Sequence, residues 1–177
     1  MKTILRTTAA GLAIASLGVA SPASAATDTA SATAEILSTL TVTAVTGDDV
    51  LDFGDIAPQA SLSTTSTVVV APDGTGTCGA DLTCSGTTNA PTFDVTGLAG
   101  TQVAVSFPSA TATLTRGGAV PTGMVNTMNV GSFTTSANTL NLATGTGQFT
   151  MGGTLTVAAN QAPGVYTGSV TVEVLYN

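Results

Sequence analysis

The sequence has no histidine and no tryptophan, and its three basic residues are Lys2, Arg6 and Arg116. Each shortage closes off chemistry. A serine or cysteine nucleophile needs a neighbouring base, and neither imidazole nor, past Lys2, a lysine amine is there to act as one. A phosphate backbone is held by several Lys or Arg side chains, so one arginine in the body of the chain excludes nucleic acid as a partner. Anionic lipid is disfavoured for the same reason. Aromatics make up only 4% of the residues. Without tryptophan, and with the few Phe and Tyr at strand positions suited to a core, the exposed stacking platforms of a sugar-binding module are missing. Apolar runs are short, and none is long enough for membrane insertion.

The first 25 residues read as a secretory signal. Lys2 and Arg6 form a basic start, Gly11 to Ala20 an apolar stretch too short to span a bilayer, and Ala23-Ser24-Ala25 a small-residue cleavage pattern. Cleavage after Ala25 leaves 152 residues, with one basic group against ten acidic ones, a net charge of −9. That length suits one domain with a real core. Low charge density together with positive mean hydropathy argues against disorder. The chain is therefore expected to be exported, to the cell surface or medium.

What remains is rich in Thr, Val, Ala, Ser and Gly, the residues of strands and turns. Alternation of period two recurs and no helical period follows the signal. Strands are expected over Val50–Phe53, Thr67–Ala71, Thr92–Thr96, Gln102–Phe107, Thr111–Thr115, within Met124–Phe133, and over Phe149–Ala158 with a bend at its glycine pair. Thr92–Thr96 and Gln102–Phe107 read as a hairpin across Gly97 and Gly100. Residues 72–91 read as a long loop. Val165–Asn177 is the clearest strand, with Tyr166, Gly168, Val170, Val172, Val174 and Tyr176 on its inward face. This pattern predicts an all-β, immunoglobulin-like Greek-key sandwich.

Cys78 and Cys84 share the loop and, in an exported protein, pair most simply as one structural disulfide. No catalytic residue, cofactor site or metal site is readable. The acidic cluster Asp48, Asp49, Asp52 and Asp55 offers hard oxygen ligands for a weak Ca2+ site, but it lacks an alternating D-x-D-x-D loop and reads first as solvated turn residues. A glycosidase would need a positioned pair of carboxyl groups, and none is evident. Tyr166 and Tyr176 read as core packing.

The two ends carry the remaining information. Residues 26–37 form an extended, alternating, Ala-rich tract in which Ala30, Ala32, Ala34 and Ile36 share one face. A sandwich that stops one strand short exposes backbone groups and an apolar groove. An extended peptide with this period can fill such a vacancy. The same residues also fit a long first strand, or a tail plus strand, of a complete monomer, and both readings stay open. The domains are then 1–25 signal, 26–37 candidate donor tract and 38–177 sandwich.

The segment Asp52-Phe53-Gly54-Asp55-Ile56 and the ending ANQAPGVYTGSVTVEVLYN, Ala159–Asn177, resemble two groups. One is a family of small secreted bacterial β-sandwich proteins. The other is the spore-coat-protein-U-like, archaic (Csu-type) chaperone–usher pilins, with a donor tract, a short L/F-x-F-G motif and a terminal P-G-x-Y strand. The resemblance implies a fibre or pilus subunit of a Gram-negative surface, with like subunits and a periplasmic chaperone and usher as partners. The chaperone would pair with Tyr166–Tyr176 and anchor the carboxylate at Asn177. The cysteines depart from the pilin pattern, in which one often lies in the first strand. The expected function is thus a non-enzymatic structural or adhesive subunit. Its rival is a self-contained secreted sandwich that binds a ligand or partner through its loops.

Overall fold

In the computed structural model, residues 28–177 are described; the expected signal peptide and Ala26 lie outside them. Residues 28–35 are exposed and form neither helix nor strand, whereas residues 36–177 form one compact unit. Thirteen strands follow in order: β1 (Thr41–Ala44), β2 (Asp55–Pro58), β3 (Thr65–Val70), β4 (Gly76–Cys78), β5 (Leu82–Ser85), β6 (Thr92–Thr96), β7 (Thr101–Ser106), β8 (Thr111–Arg116), β9 (Thr127–Thr135), β10 (Thr139–Leu142), β11 (Thr146–Ala158), β12 (Tyr166–Thr167) and β13 (Glu173–Tyr176). Their ladders are antiparallel. The result is an all-β, curled, sandwich-like fold, as the alternation predicts.

The main sheet runs β1-β6-β11-β9-β8-β12, with β3 on the far half of β11 and β4 beyond β3. A second sheet runs β10-β7-β13, and β2 pairs with β5 alone. The long strand β11 organises both cores, because its odd-numbered side chains all point inward. Near its start, Phe149 packs with Val95, Val103, Val105 and Leu142 between the main and second sheets. Phe149 lies opposite Phe93 in the β6 ladder, with ring centroids 5.2 Å apart. Towards its end, Leu155 and Val157 join Val68, Val70, Val130, Phe53 and Leu82 in the other core. Burying each such side chain is worth about 1.5–3 kcal/mol before ordering costs. The glycine pair lies opposite a β-bulge in β9: the β11–β9 register shifts between Gly152 and Thr154, so Gly153 faces two β9 residues, with Ser132 at a φ of 48°.

Four local expectations are corrected. Thr92–Thr96 and Gln102–Phe107 do not form a hairpin. β6 lies in the main sheet and β7 in the second, so Gly97–Gly100 crosses the core and Val95 faces Val103 from opposite layers. Val50–Phe53 is not a strand. Asp52 forms an isolated bridge with Asn89, and the strand begins at Asp55. The loop 72–91 contains β4 and β5, and β10 supplies a strand that alternation had not marked. Val165–Asn177 is not one continuous strand. Tyr166–Thr167 pairs with β8 and Glu173–Tyr176 with β7, so the segment changes sheets across residues 168–172, which pair with none of the described strands.

Candidate functional site

Where the terminal segment crosses between sheets, a groove opens beside it. Two adjoining cavities form it, one of about 720 Å3 along Gly164–Thr167 and one of about 320 Å3 along Gly168–Val170. They share Val50, Leu51 and Leu114 as lining. The opposite wall is residues 50–56, with Gly86 and Thr87 behind them. Leu114, Met128 and Leu155 lie under the larger cavity, and Phe93, Val130 and Met151 under the smaller one. The floor is therefore apolar, and it lies along β11 where the two cores meet.

The wall 50–56 contains the motif singled out in the sequence, and each residue has a physical task. Asp52 accepts a hydrogen bond from Gly54 N at 2.9 Å through Oδ1. Phe53 is buried in the core. Gly54 sits at a φ of +71°, and a Cβ there would come within 2.6 Å of the Ser85 carbonyl oxygen. Only glycine both adopts that turn and lets the chain lie so close to β5. Asp55 and Ile56 then begin β2.

The facing wall is held by Tyr166. Its hydroxyl donates to the Ala162 carbonyl at 2.6 Å and accepts from Gln161 Nε2 at 2.7 Å. A tyrosine tied to backbone a few residues upstream is a feature of immunoglobulin-like sandwiches. Gly168 is required by contact rather than by turn geometry: a Cβ would lie 2.5 Å from the Thr113 carbonyl oxygen and 2.8 Å from Leu114 Cδ2. Val170 lines the smaller cavity and is only half-buried. Val172, Val174 and Tyr176 pack on the second core, also half-buried. Asn177 is exposed, and its N–H donates to the Gln102 carbonyl at 3.1 Å. The expected inward face is thus divided between two sheets, with Tyr166 and Gly168 against β8 and Val172, Val174 and Tyr176 on the second core.

Ala30, Ala32 and Ala34 are exposed and outside any strand, and Ile36 is 94% exposed. Cys78 and Cys84 form a disulfide with a Cα–Cα distance of 6.0 Å. Of the four acidic residues that suggested calcium, Asp48 and Asp52 are engaged with the protein. Asp48 accepts from the Thr92 hydroxyl and, at 2.9 Å, from Asn89 Nδ2. These two bonds, the Thr92 one foremost, hold its carboxyl below its ordinary pKa. Among the described residues, no three carboxyl, thiol or imidazole groups gather as a metal site. Sequence reasoning missed the floor. Leu114, Met128 and Met151 sit at alternating positions of their own strands, but their meeting under one groove depends on the sheet order.

Fold and groove together define an antiparallel β-sandwich with an elongated, apolar-floored cleft beside its terminal segment. Residues 40–176 match the family described as a domain of unknown function (DUF4402), and the chain belongs to that family. No curated protein and no solved structure matches it significantly.

Proposed function

We propose that the protein is a structural, non-enzymatic subunit of a surface fibre or pilus, in which residues 26–37 of one copy fill the groove of another. The observation that carries this reading is the fit between groove and tract. Ala30 to Ile36 is seven residues, and so is Gly164 to Val170. At about 3.3 Å per residue, each extends for roughly 20 Å. A period-two segment would turn Ala30, Ala32, Ala34 and Ile36 onto the apolar floor, and its backbone would meet the unpaired crossing at 168–172.

The sizes of the cavities favour one direction. Ile36 is the bulkiest of the four side chains and suits the cavity of about 720 Å3 by Tyr166; the alanines suit the one of about 320 Å3. The tract then lies antiparallel to 164–170. Burying an exposed isoleucine contributes about 1.5–3 kcal/mol.

The same geometry favours a second molecule as the donor. The Ser38 carbonyl is bonded to the hydroxyl of Tyr176, ten residues along the chain from Tyr166. Tyr166 pairs in the main sheet and Tyr176 in the second, and Ile36 is two residues, at most about 7 Å, from Ser38. A copy's own Ile36 is therefore tethered beside the second sheet rather than beside Tyr166. In this reading the subunit is exported, and a periplasmic chaperone and an usher protect the groove until exchange.

The test is surface material run on a denaturing gel with and without boiling. A ladder lost on boiling is expected, and deletion of Ala26–Leu37 or the change Ile36→Asp should abolish it while leaving export intact. If the deletion unfolds a protein that was already monomeric, the tract is an internal strand. The self-contained sandwich is then the correct reading.

A further inference from the structure

The two-stranded sheet is set apart from the other ladders, since β2 pairs with β5 alone. It is nonetheless part of the groove, because Asp55 and Ile56 of β2 line the larger cavity. A covalent path ties it to the main sheet. Ile56 lies opposite Cys84 in the β2–β5 ladder. Cys84 is bonded to Cys78, and Cys78 lies opposite Val68 in the β3–β4 ladder. Val68 is buried at the centre of its core.

The ring closed by this bridge is short, with a sequence separation of six. A short ring removes little chain entropy compared with a long one, so its contribution to global stability is limited. Its consequence for placement is larger. The link joins the buried β3 ladder to a strand pair that is otherwise held by side-chain packing, the Asp52–Asn89 bridge and the Gly79 turn, whose N–H donates to the Thr67 carbonyl.

We infer that the Cys78–Cys84 disulfide is a positioning element of the groove, fixing the β2–β5 wall at the height over the floor that grips an extended apolar peptide. This rests on the groove reading above and adds to it the device that sets how long an occupant stays. Gly54, pressed against the Ser85 carbonyl, passes the position of β5 directly to the groove wall.

The experiment uses the mature chain, residues 26–177, and a fluorescent peptide of residues 26–40 as probe. Wild type is compared with Cys78→Ser/Cys84→Ser and with Leu140→Ala, a change beside the other core. The disulfide-free protein should release the peptide about tenfold faster, the equivalent of one or two weakened hydrogen bonds. Amides of β2 and β5 should exchange faster in it, with those of β7 and β10 unchanged. Leu140→Ala should lower the melting temperature and leave peptide release at the wild-type rate. If the double variant does not fold, folded wild type is treated with a dithiol, which reduces the bridge to two thiols as it closes its own disulfide. Equal release rates with and without the bridge would overturn the inference, as would uniformly faster exchange. If wild type itself captures no peptide, the groove reading falls and this inference with it; capture by wild type with bridge-independent release overturns the inference alone.

Discussion

The hydroxyl of Tyr176 donates to the carbonyl of Ser38 at 3.0 Å and accepts from the backbone N–H of Leu98 at 2.8 Å. One side chain of β13 thus clamps the segment that leads into β1 and the crossover that joins the two sheets. Tyr176→Phe keeps the ring and removes both bonds, and it should cost about 1–2 kcal/mol in a urea titration. No change in midpoint would mean that water replaces the hydroxyl at both partners.

Gly168 meets β8 with no room for a side chain. Gly168→Val would drive a Cβ to within 2.5 Å of the Thr113 carbonyl oxygen and 2.8 Å of Leu114 Cδ2. The β12–β8 pairing must then open, at a cost of about 1–3 kcal/mol. Thermal unfolding checks the cost. Faster amide exchange at Tyr166 and Thr167 would locate it, and an unaltered melting temperature would contradict the packing argument.

Asp48 and Asp73 both have carboxyl pKa values below the ordinary one. Asp48 is held there by Thr92 and Asn89, and Asp73 by the backbone N–H of Thr75. Each therefore binds its proton less readily when folded than when unfolded. Their contribution to stability is complete above the ordinary carboxyl pKa and is lost as pH falls through the lower folded values. Melting temperature should be insensitive to these groups between pH 7 and about 5 and should drop below about pH 4. Asp48→Asn should flatten the acid limb. An equally steep limb in that variant would assign the effect elsewhere.

Electrostatics should oppose the proposed association. The charged side chains lining the two cavities are Asp49, Asp52 and Asp55, and the tract brings Asp28 and Glu35. At about 0.1 M salt, charges are screened beyond about 10 Å. Raising salt from about 0.01 to 0.1 M should therefore speed association of mature copies several-fold. Glu35→Gln should reduce that dependence. Light scattering against salt concentration measures it, and slower association with added salt would count against the acidic rim.

Legibility followed the range of the interactions. The alternation in Thr65–Val70, Thr111–Arg116 and Thr146–Ala158 is local, and those strands fell close to where the period placed them. The glycine pair at 152–153 marked the place of a bulge, although the extra residue belongs to the neighbouring strand β9. The link Gly97–Gly100 misled, because turn residues are equally suited to a hairpin and to a crossing between layers; only the burial of Val95 against Val103 separates the two. The motif Asp52–Ile56 was visible as a string, but the need for Gly54 comes from Ser85, thirty-one positions away. A vacancy beside the terminal segment was one of the two readings that the chain's ends left open. The floor of the groove was not foreseen, since Leu114, Met128 and Met151 come from three strands whose order no local pattern encodes.

The anchoring of Ser38 at Tyr176, in a different sheet from Tyr166, has a geometric consequence for any assembly built this way. The surface that gives and the surface that receives are different patches, so a head-to-tail contact between two copies uses one of each and leaves one of each unused. Growth through such a contact is directional. Each added unit leaves one unlike end that can still receive and another that can still give, and the resulting chain has a polarity from its first link.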